Sequence, residues 1–211
     1  MFNTLYKTLL DIIFPQNAVE QRINTLPEDF LFEKLRIQEH GSIVSLFRYK
    51  DPLIKQMVWL LKYKKSIHVA HLFALTLYDY LIEELSDETV FSEGTQYVIV
   101  PIPLSKKRER ERGYNQMKLI TNELQKLGGL SVSTQMLIKK RHTYPQTSLR
   151  KKEDRVHNIK GVFEVRNTLN LSHTHVILID DVLTTGSTLK EASRVLKDAG
   201  VYKVSCITLT H

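Results

Sequence analysis

Apolar positions along the chain switch between helical and strand periods, and the switches mark out its elements. Asp51 reads as an N-cap with Pro52 at the first helical position, and Leu53, Ile54, Met57, Val58 and Leu61 follow at helical spacing. A second helix from about Ile67 carries Ala70, Phe73, Ala74, Leu77 and Leu81 on one face. The run "YVIVPIPL", Tyr97 to Leu104, predicts a buried strand ending at or near Pro101, since proline donates no hydrogen bond to a central ladder. Asn115 caps a further helix whose Met117, Ile120, Leu124 and Leu127 face inward, with Gly128 and Gly129 at its end.

A β-leaning stretch near Met136 to Ile138, a polar loop around Tyr144-Pro145-Gln146 and the stretch "GVFEV" come next. Val176 to Ile179 then reads as a strand, and Leu189, Ala192, Val195, Leu196 and Ala199 as the stripe of a helix. Gly200 stops that helix, and "KVSCITL" is the following strand. Strand, helix and strand in this succession form a βαβ unit, which requires a parallel sheet with a right-handed crossover. The expected fold is α/β, a mostly parallel sheet flanked by helices. Two units are expected: residues 1–40 as an N-terminal appendage and 41–211 as the main domain. In the appendage only a short amphipathic helix with Phe2, Leu5, Leu9 and Ile12 on one face is legible; "QNAVEQRINTLPEDF" has no sustained period.

Composition adds bounds. With 42% hydrophobic and 25% charged residues the chain has the makeup of an ordinary globular protein. No apolar run approaches the ~18 residues that span a bilayer, and no secretory signal is recognisable, so the expectation is a cytoplasmic protein with no membrane partner. The single cysteine, Cys206, lies in an apolar stretch and is expected to be a buried strand thiol. His68 and His71 read as packing or surface residues of a helix, and Trp59 as a core or flank residue.

The formal net charge of +7 is unevenly placed. Lys106 to Arg112 contributes +3 and Lys139 to Arg155 contributes +5, so the rest of the chain sums to −1. A polyanion is expected near these two segments.

The most informative stretch is "VILIDDVLTTGSTLKEA", Val176 to Ala192. Asp180 and Asp181 end a strand of an open α/β sheet, where ligands of such sheets bind. Two adjacent carboxylates repel each other unless a cation or strong donors compensate, which suits a divalent metal, a polyhydroxyl group or both. The following Thr184, Thr185, Gly186, Ser187 and Thr188 enter a helix N-terminus, where backbone N–H groups and hydroxyls favour a phosphate. Acids at one lip and a phosphate cradle at the other match the diol and 5-phosphate of a ribose 5-phosphate. A plain helix cap is the bland reading of the same residues. The glycine patterns of P-loops and dinucleotide folds are absent.

"VILIDDVLTTGST" resembles the phosphoribosyl pyrophosphate signature of type I phosphoribosyltransferases, and the wider chain resembles the competence-associated ComF family. "VPIPLSKKRERERGYNQ" is similar to that family's Val-Pro-x-Pro segment ending in Arg-Gly-Phe-Asn-Gln, here with Tyr114. "PQTSLRKKEDRVHNIKGVFEV" resembles its Gln, Leu, Arg and Asn pattern at Gln146, Leu149, Arg155 and Asn158. The resemblance implies a type I phosphoribosyltransferase fold. It also implies that Asp180 and Asp181 hold the ribose hydroxyls, directly or through Mg²⁺, and that Thr184 to Thr188 hold the 5′-phosphate. Pro101, Ile102, Pro103, Leu104 and Ser105 would form the pyrophosphate loop. The segment from Arg141 to Arg155 would cover the leaving group, stabilised by Arg112, Lys140, Arg141 and Arg155. Family members usually carry a four-cysteine zinc module near the N-terminus. Here "LLDIIFPQNAVEQ" keeps the lead-in without a cysteine, so no zinc is expected.

The function implied is Mg²⁺-dependent binding of phosphoribosyl pyrophosphate and transfer of the phosphoribosyl group to an acceptor that the sequence does not name. Two alternatives stand beside it. One is an accessory protein of DNA uptake that binds single-stranded DNA through the basic segments, with Tyr114 and Tyr144 available for stacking, or that works with other DNA-uptake proteins. The other is a sensor that binds phosphoribosyl pyrophosphate without turnover.

Overall fold

A computed structural model describes residues 16–89, 94–140, 160–166 and 171–211. The expected helix at Phe2 to Ile12, the loop around Tyr144 and the segment Arg141 to Arg155 lie outside the described residues, as do Gln146, Leu149 and Asn158.

Two helices come first, α1 (Gln16–Asn24) and α2 (Phe30–Lys34), followed by the antiparallel hairpin β1 (Gln38–His40) and β2 (Ile43–Phe47). Their burial is not periodic enough to read from sequence: Ile23 and Leu31 are fully buried among mostly exposed neighbours. The expected unit boundary at His40 falls inside the β1–β2 hairpin.

Next come α3 (Pro52–Tyr63) and the long α4 (Ile67–Thr89). Asp51 caps α3 as its sequence position predicts, accepting the N–H groups of Leu53 at 2.9 Å and Ile54 at 3.3 Å. Lys34 reaches the same carboxylate at 3.0 Å, tying α2 to the start of α3. The α4 stripe of Ala70, Phe73, Ala74, Leu77 and Leu81 is buried throughout. Phe73 meets Phe47 of β2 edge-on at 5.5 Å, so truncating it to alanine would cost roughly 3–5 kcal/mol. His71 on α4 lies 3.4 Å from Glu28, in the connection between α1 and α2, and 3.4 Å from Glu123, which links the first helices to the core.

The sheet has six strands in the order β1-β2-β8-β7-β3-β4, where β3 is Gln96–Pro101, β4 Ser131–Val132, β7 Thr174–Val182 and β8 Lys203–Thr210. All neighbours are parallel except β1 and β2. The central strands β7 and β3 are apolar along most of their length because both faces are covered, as parallel sheets require. One face packs α3, α4 and α6 (Gln116–Leu127) around Phe47, Phe73, Leu77 and Ile120; the other packs α7 (Ser187–Asp198) around Val176, Leu178, Leu189 and Leu196. Ala199, expected on the α7 stripe, is instead its exposed C-cap, because Gly200 turns the chain there. Cys206 is buried in β8, as expected. A separate hairpin pairs β5 (Leu137–Lys139) with β6 (Phe163–Val165). Among the described residues no helix is long and apolar enough to cross a membrane.

The basic segment 106–112 forms a helix, α5 (Lys106–Arg112), that hydrophobic periodicity does not reveal, since none of its residues is buried. Local chemistry makes it: Ser105 Oγ accepts the N–H of Arg108 at 3.3 Å at one end, and Gly113 at φ 82° stops the other.

Candidate functional site

The parallel register sets Pro101 of β3 beside Ile179 of β7, so the turn after β3 and the acids of β7 emerge at the same end of adjacent strands. Ile102 extends that ladder with an N–H to the Ile179 carbonyl at 2.9 Å. Asn115 caps α6 by accepting the Met117 N–H at 2.9 Å and with its amide holds the Ile102 carbonyl at 3.1 Å. One side chain thus fixes a helix start and the turn Pro101 to Ser105. Ile102 and Ser105 are buried within it, and Pro103 and Leu104 are partly exposed.

Asp180 and Asp181 point to different surroundings, as neighbours on a strand must. Asp180 is partly exposed and accepts the Asp181 N–H on Oδ1 at 2.9 Å. Loss of hydration and the adjacent Asp181 push its carboxyl up to about 7, against the pull of Lys62 and Lys139. Asp181 is buried, and its Oδ2 accepts Gln116 Nε2 at 2.5 Å and lies 3.1 Å from Lys62 Nζ. Thr210 Oγ1 donates to the Asp181 carbonyl at 3.1 Å. Arg112 Nη1 in turn donates to Gln116 Oε1, and its guanidinium lies 5.7 Å from the Tyr63 ring centre.

Beyond the acids, Leu183 N–H bonds the Thr210 carbonyl at 2.7 Å, and the chain then curls through Thr184 to Thr188 into α7. Gly186, the N-cap, sits at φ +70°, and a Cβ there would come within 2.9 Å of Ile43 Cδ1. The curl therefore needs glycine for its backbone sign and its packing. Thr185 Oγ1 and Ser187 Oγ share a hydrogen bond of 2.8 Å, and Ser187 N–H approaches Thr185 Oγ1 at 3.4 Å. Gly186 and Ser187 are buried, Thr185 and Thr188 are partly exposed, and Thr184 is exposed.

Bases approach from three directions. Lys62 comes from the last turn of α3, and Arg108 from α5. Lys139 comes from β5, its ammonium 5.6 Å from the centre of the Phe163 ring. Burial and the proximity of Arg112 lower the affinity of Arg108 for its proton, while Asp181 opposes this. Burial and Arg108 bring Lys139 down to about 8, with Asp180 opposing. Lys140 is exposed and turned to Glu164 at 2.8 Å, so the side chain that β5 sends toward the acids is Lys139.

The sequence pattern of the phosphoribosyl transferase domain matches residues 77–211, more than half of the chain. The chain belongs to the phosphoribosyl transferase family. Within this family its relatives are the ComF proteins that the motifs suggested. Competence protein F of Haemophilus influenzae is 37% identical over 107 residues, covering 50% of this chain and 46% of that protein. Competence protein ComFC of Bacillus subtilis is 31% identical over 166 residues, 78% of this chain and 62% of that one. The DNA utilization protein YhgH of Salmonella typhi is 30% identical over 171 residues, 80% of this chain and 72% of that one. The chain spans less than two thirds of the length of the two competence proteins.

The structure thus brings Asp180, Asp181, the Thr184 to Thr188 curl and the Pro101 to Ser105 turn to one end of the phosphoribosyl transferase sheet, with Arg112 joined through Gln116. Arg141 and Arg155 lie outside the described residues. Sequence reasoning placed Arg108 and Lys139 in its two basic segments without singling them out, and missed Lys62 and Gln116 as site residues. Gln116 had a signal, as the last letter of "RGYNQ". Lys62, at the end of an amphipathic helix, had none.

Proposed function

We propose that this phosphoribosyl transferase domain binds phosphoribosyl pyrophosphate with Mg²⁺ and transfers the phosphoribosyl group to an acceptor. The observation that carries the reading is the placement of the acid pair and the Gly186 curl at opposite ends of a two-residue connection, Val182 and Leu183, at the carboxyl end of β7. The acids suit a ribose diol, and the curl suits its 5-phosphate.

The donor set fits Mg²⁺. Among the described residues no group of three or more metal-ligating side chains exists, and the acids supply hard oxygens only. Mg²⁺ is commonly held by one or two carboxylates, with substrate phosphates and water completing its shell. Bound there, it supplies neutralisation of a departing pyrophosphate.

The remaining work falls to the chain. Displacement at the ribose C1 breaks the bond to pyrophosphate, which leaves with its electron pair, and forms a bond to the acceptor. Positive charge develops on the sugar ring beside the acid pair, while negative charge develops on the leaving group, which Arg108 and Lys139 stabilise. The Asn115-bound turn at Ile102 fixes where the pyrophosphate rests, so that positioning supplies much of the rate. No covalent nucleophile is needed. The names of the relatives, competence and DNA utilization, support a setting in DNA uptake for this chemistry.

Calorimetric titration of the protein with phosphoribosyl pyrophosphate, with and without Mg²⁺, tests the reading, followed by pyrophosphate release against a panel of nitrogenous acceptors. Mg²⁺-dependent binding is expected. Its absence would falsify the proposal, and binding without pyrophosphate release on any acceptor would favour the sensor.

A further inference from the structure

Resting on that reading, we propose that the two adjacent acids have separate tasks: Asp180 meets the ligand and its metal ion, while Asp181 anchors a clamp in which Lys62 is a positioning residue.

The geometry separates them. One carboxylate oxygen of Asp181 is committed to the protein: Oδ2 takes Gln116 Nε2 at 2.5 Å and Lys62 Nζ at 3.1 Å, while the backbone carbonyl takes the Thr210 hydroxyl at 3.1 Å. Asp180 keeps slightly more residue surface than Asp181, and among the described residues no side chain is hydrogen-bonded to it, its Oδ1 taking only the Asp181 N–H. A ligand arriving at the lip finds one uncommitted carboxylate oxygen on Asp180. To use Asp181 Oδ2 it would first have to displace the Gln116 hydrogen bond and the largely buried Lys62 ion pair.

The clamp joins four elements that are distant in sequence. Lys62 belongs to α3, Asp181 to β7, Gln116 to α6, and Arg112, bound to Gln116, to α5. Lys62 precedes the region matched by the phosphoribosyl transferase domain, which begins at residue 77. The end of α3 is held in place, because Tyr114 binds both the Leu61 carbonyl and the Lys65 N–H. Two ionised carboxylates side by side would repel; an ammonium 3.1 Å from one of them offsets that repulsion before any metal arrives. Lys62 therefore lessens, without cancelling, the repulsion that Asp181 exerts on Asp180 as the ligand arrives.

Two measurements test this. In the ligand-free protein, thermal unfolding of Lys62→Met, Asp181→Asn and the double variant should be non-additive, the double variant losing less than the sum of the single losses. Additive losses would remove the clamp, whether or not phosphoribosyl pyrophosphate binds. In titrations with phosphoribosyl pyrophosphate, Asp180→Asn should abolish the dependence of affinity on Mg²⁺. Asp181→Asn, which keeps an oxygen for Gln116, should retain that dependence. Lys62→Met should weaken binding about tenfold, with Lys62→Arg recovering most of it. Equal loss of Mg²⁺ dependence in the two aspartate variants would overturn the division of tasks. Failure of the wild-type protein to bind would instead overturn the proposed function and leave the unfolding result standing.

Discussion

The hydroxyl of Tyr114 donates to the Leu61 carbonyl at 2.7 Å, across 53 residues of sequence, while accepting the Lys65 N–H at 2.9 Å. The ring thereby stops α3 one residue beyond Lys62 and supports Lys65 in its left-handed conformation at φ 55°. The hydroxyl of this residue, whose ring face the DNA-binding alternative assigned to stacking, is thus committed within the fold. Tyr114→Phe is expected to cost about 1 kcal/mol of stability by chemical denaturation, because the ring still packs and only its hydrogen bonds are lost. A loss beyond the effect of one or two hydrogen bonds would show that the ring's position, rather than its hydroxyl, holds the helix end.

Gly186→Ala is expected to destabilise the fold by about 1–2 kcal/mol, since φ +70° strains any residue with a Cβ. The Ile43 side chain must also give way. Its larger effect should be on ligand: the curl has to shift, so affinity for inorganic phosphate or ribose 5-phosphate should fall more than stability does. Unchanged affinity by titration would dissociate the curl from phosphate binding.

Asp180 gives the site a pH signature. Its folded carboxyl titrates at about 7, above the ordinary value of 3.8, so between these pH values the folded state holds more protons than the unfolded state. The stability it contributes is present below 3.8 and is lost as pH rises through about 7. Asp180→Asn should flatten that part of the stability curve and become relatively more stable than wild type at pH 8. Equal slopes for the two proteins in unfolding experiments from pH 4 to pH 8 would refute the assignment.

Lys139 has the opposite polarity. Burial and Arg108 bring its ammonium down to about 8 from the ordinary 10.5, so about half of it is neutral at pH 8. Acetylation followed by peptide mass spectrometry should label Lys139 several-fold faster at pH 8 than at pH 6. Pyrophosphate bound beside it should restore the proton and slow the labelling. Labelling that is indifferent to pyrophosphate would place the anion elsewhere.

Much of the sheet was legible in the chain because its signals are local. The βαβ unit from Val176 to Leu209, the Asp51 and Asn115 caps and the strand end at Pro101 all depend on neighbours within a few positions. The Gly186 curl was legible for the same reason. The hairpin of β1 and β2 was not, since Ile43, Leu46 and Phe47 are buried only because β8 and the helices cover them. Helix α5 was hidden because its residues are polar on every side. The site's cations were the least visible: Lys62 carried no signal, and Lys139 was legible only as part of a basic segment until tertiary structure sets them beside Asp181 and Asp180.

The strand order has a consequence for synthesis. β7 lies between β3 and β8, and β2 joins the sheet only through β8. While the ribosome is still extending the chain toward Thr174, the earlier strands wait as two unfinished pieces, each with an open flank of unpaired amides. Nascent chains stalled there should be the most prone to stick to one another, and most in need of a chaperone until the last two strands arrive.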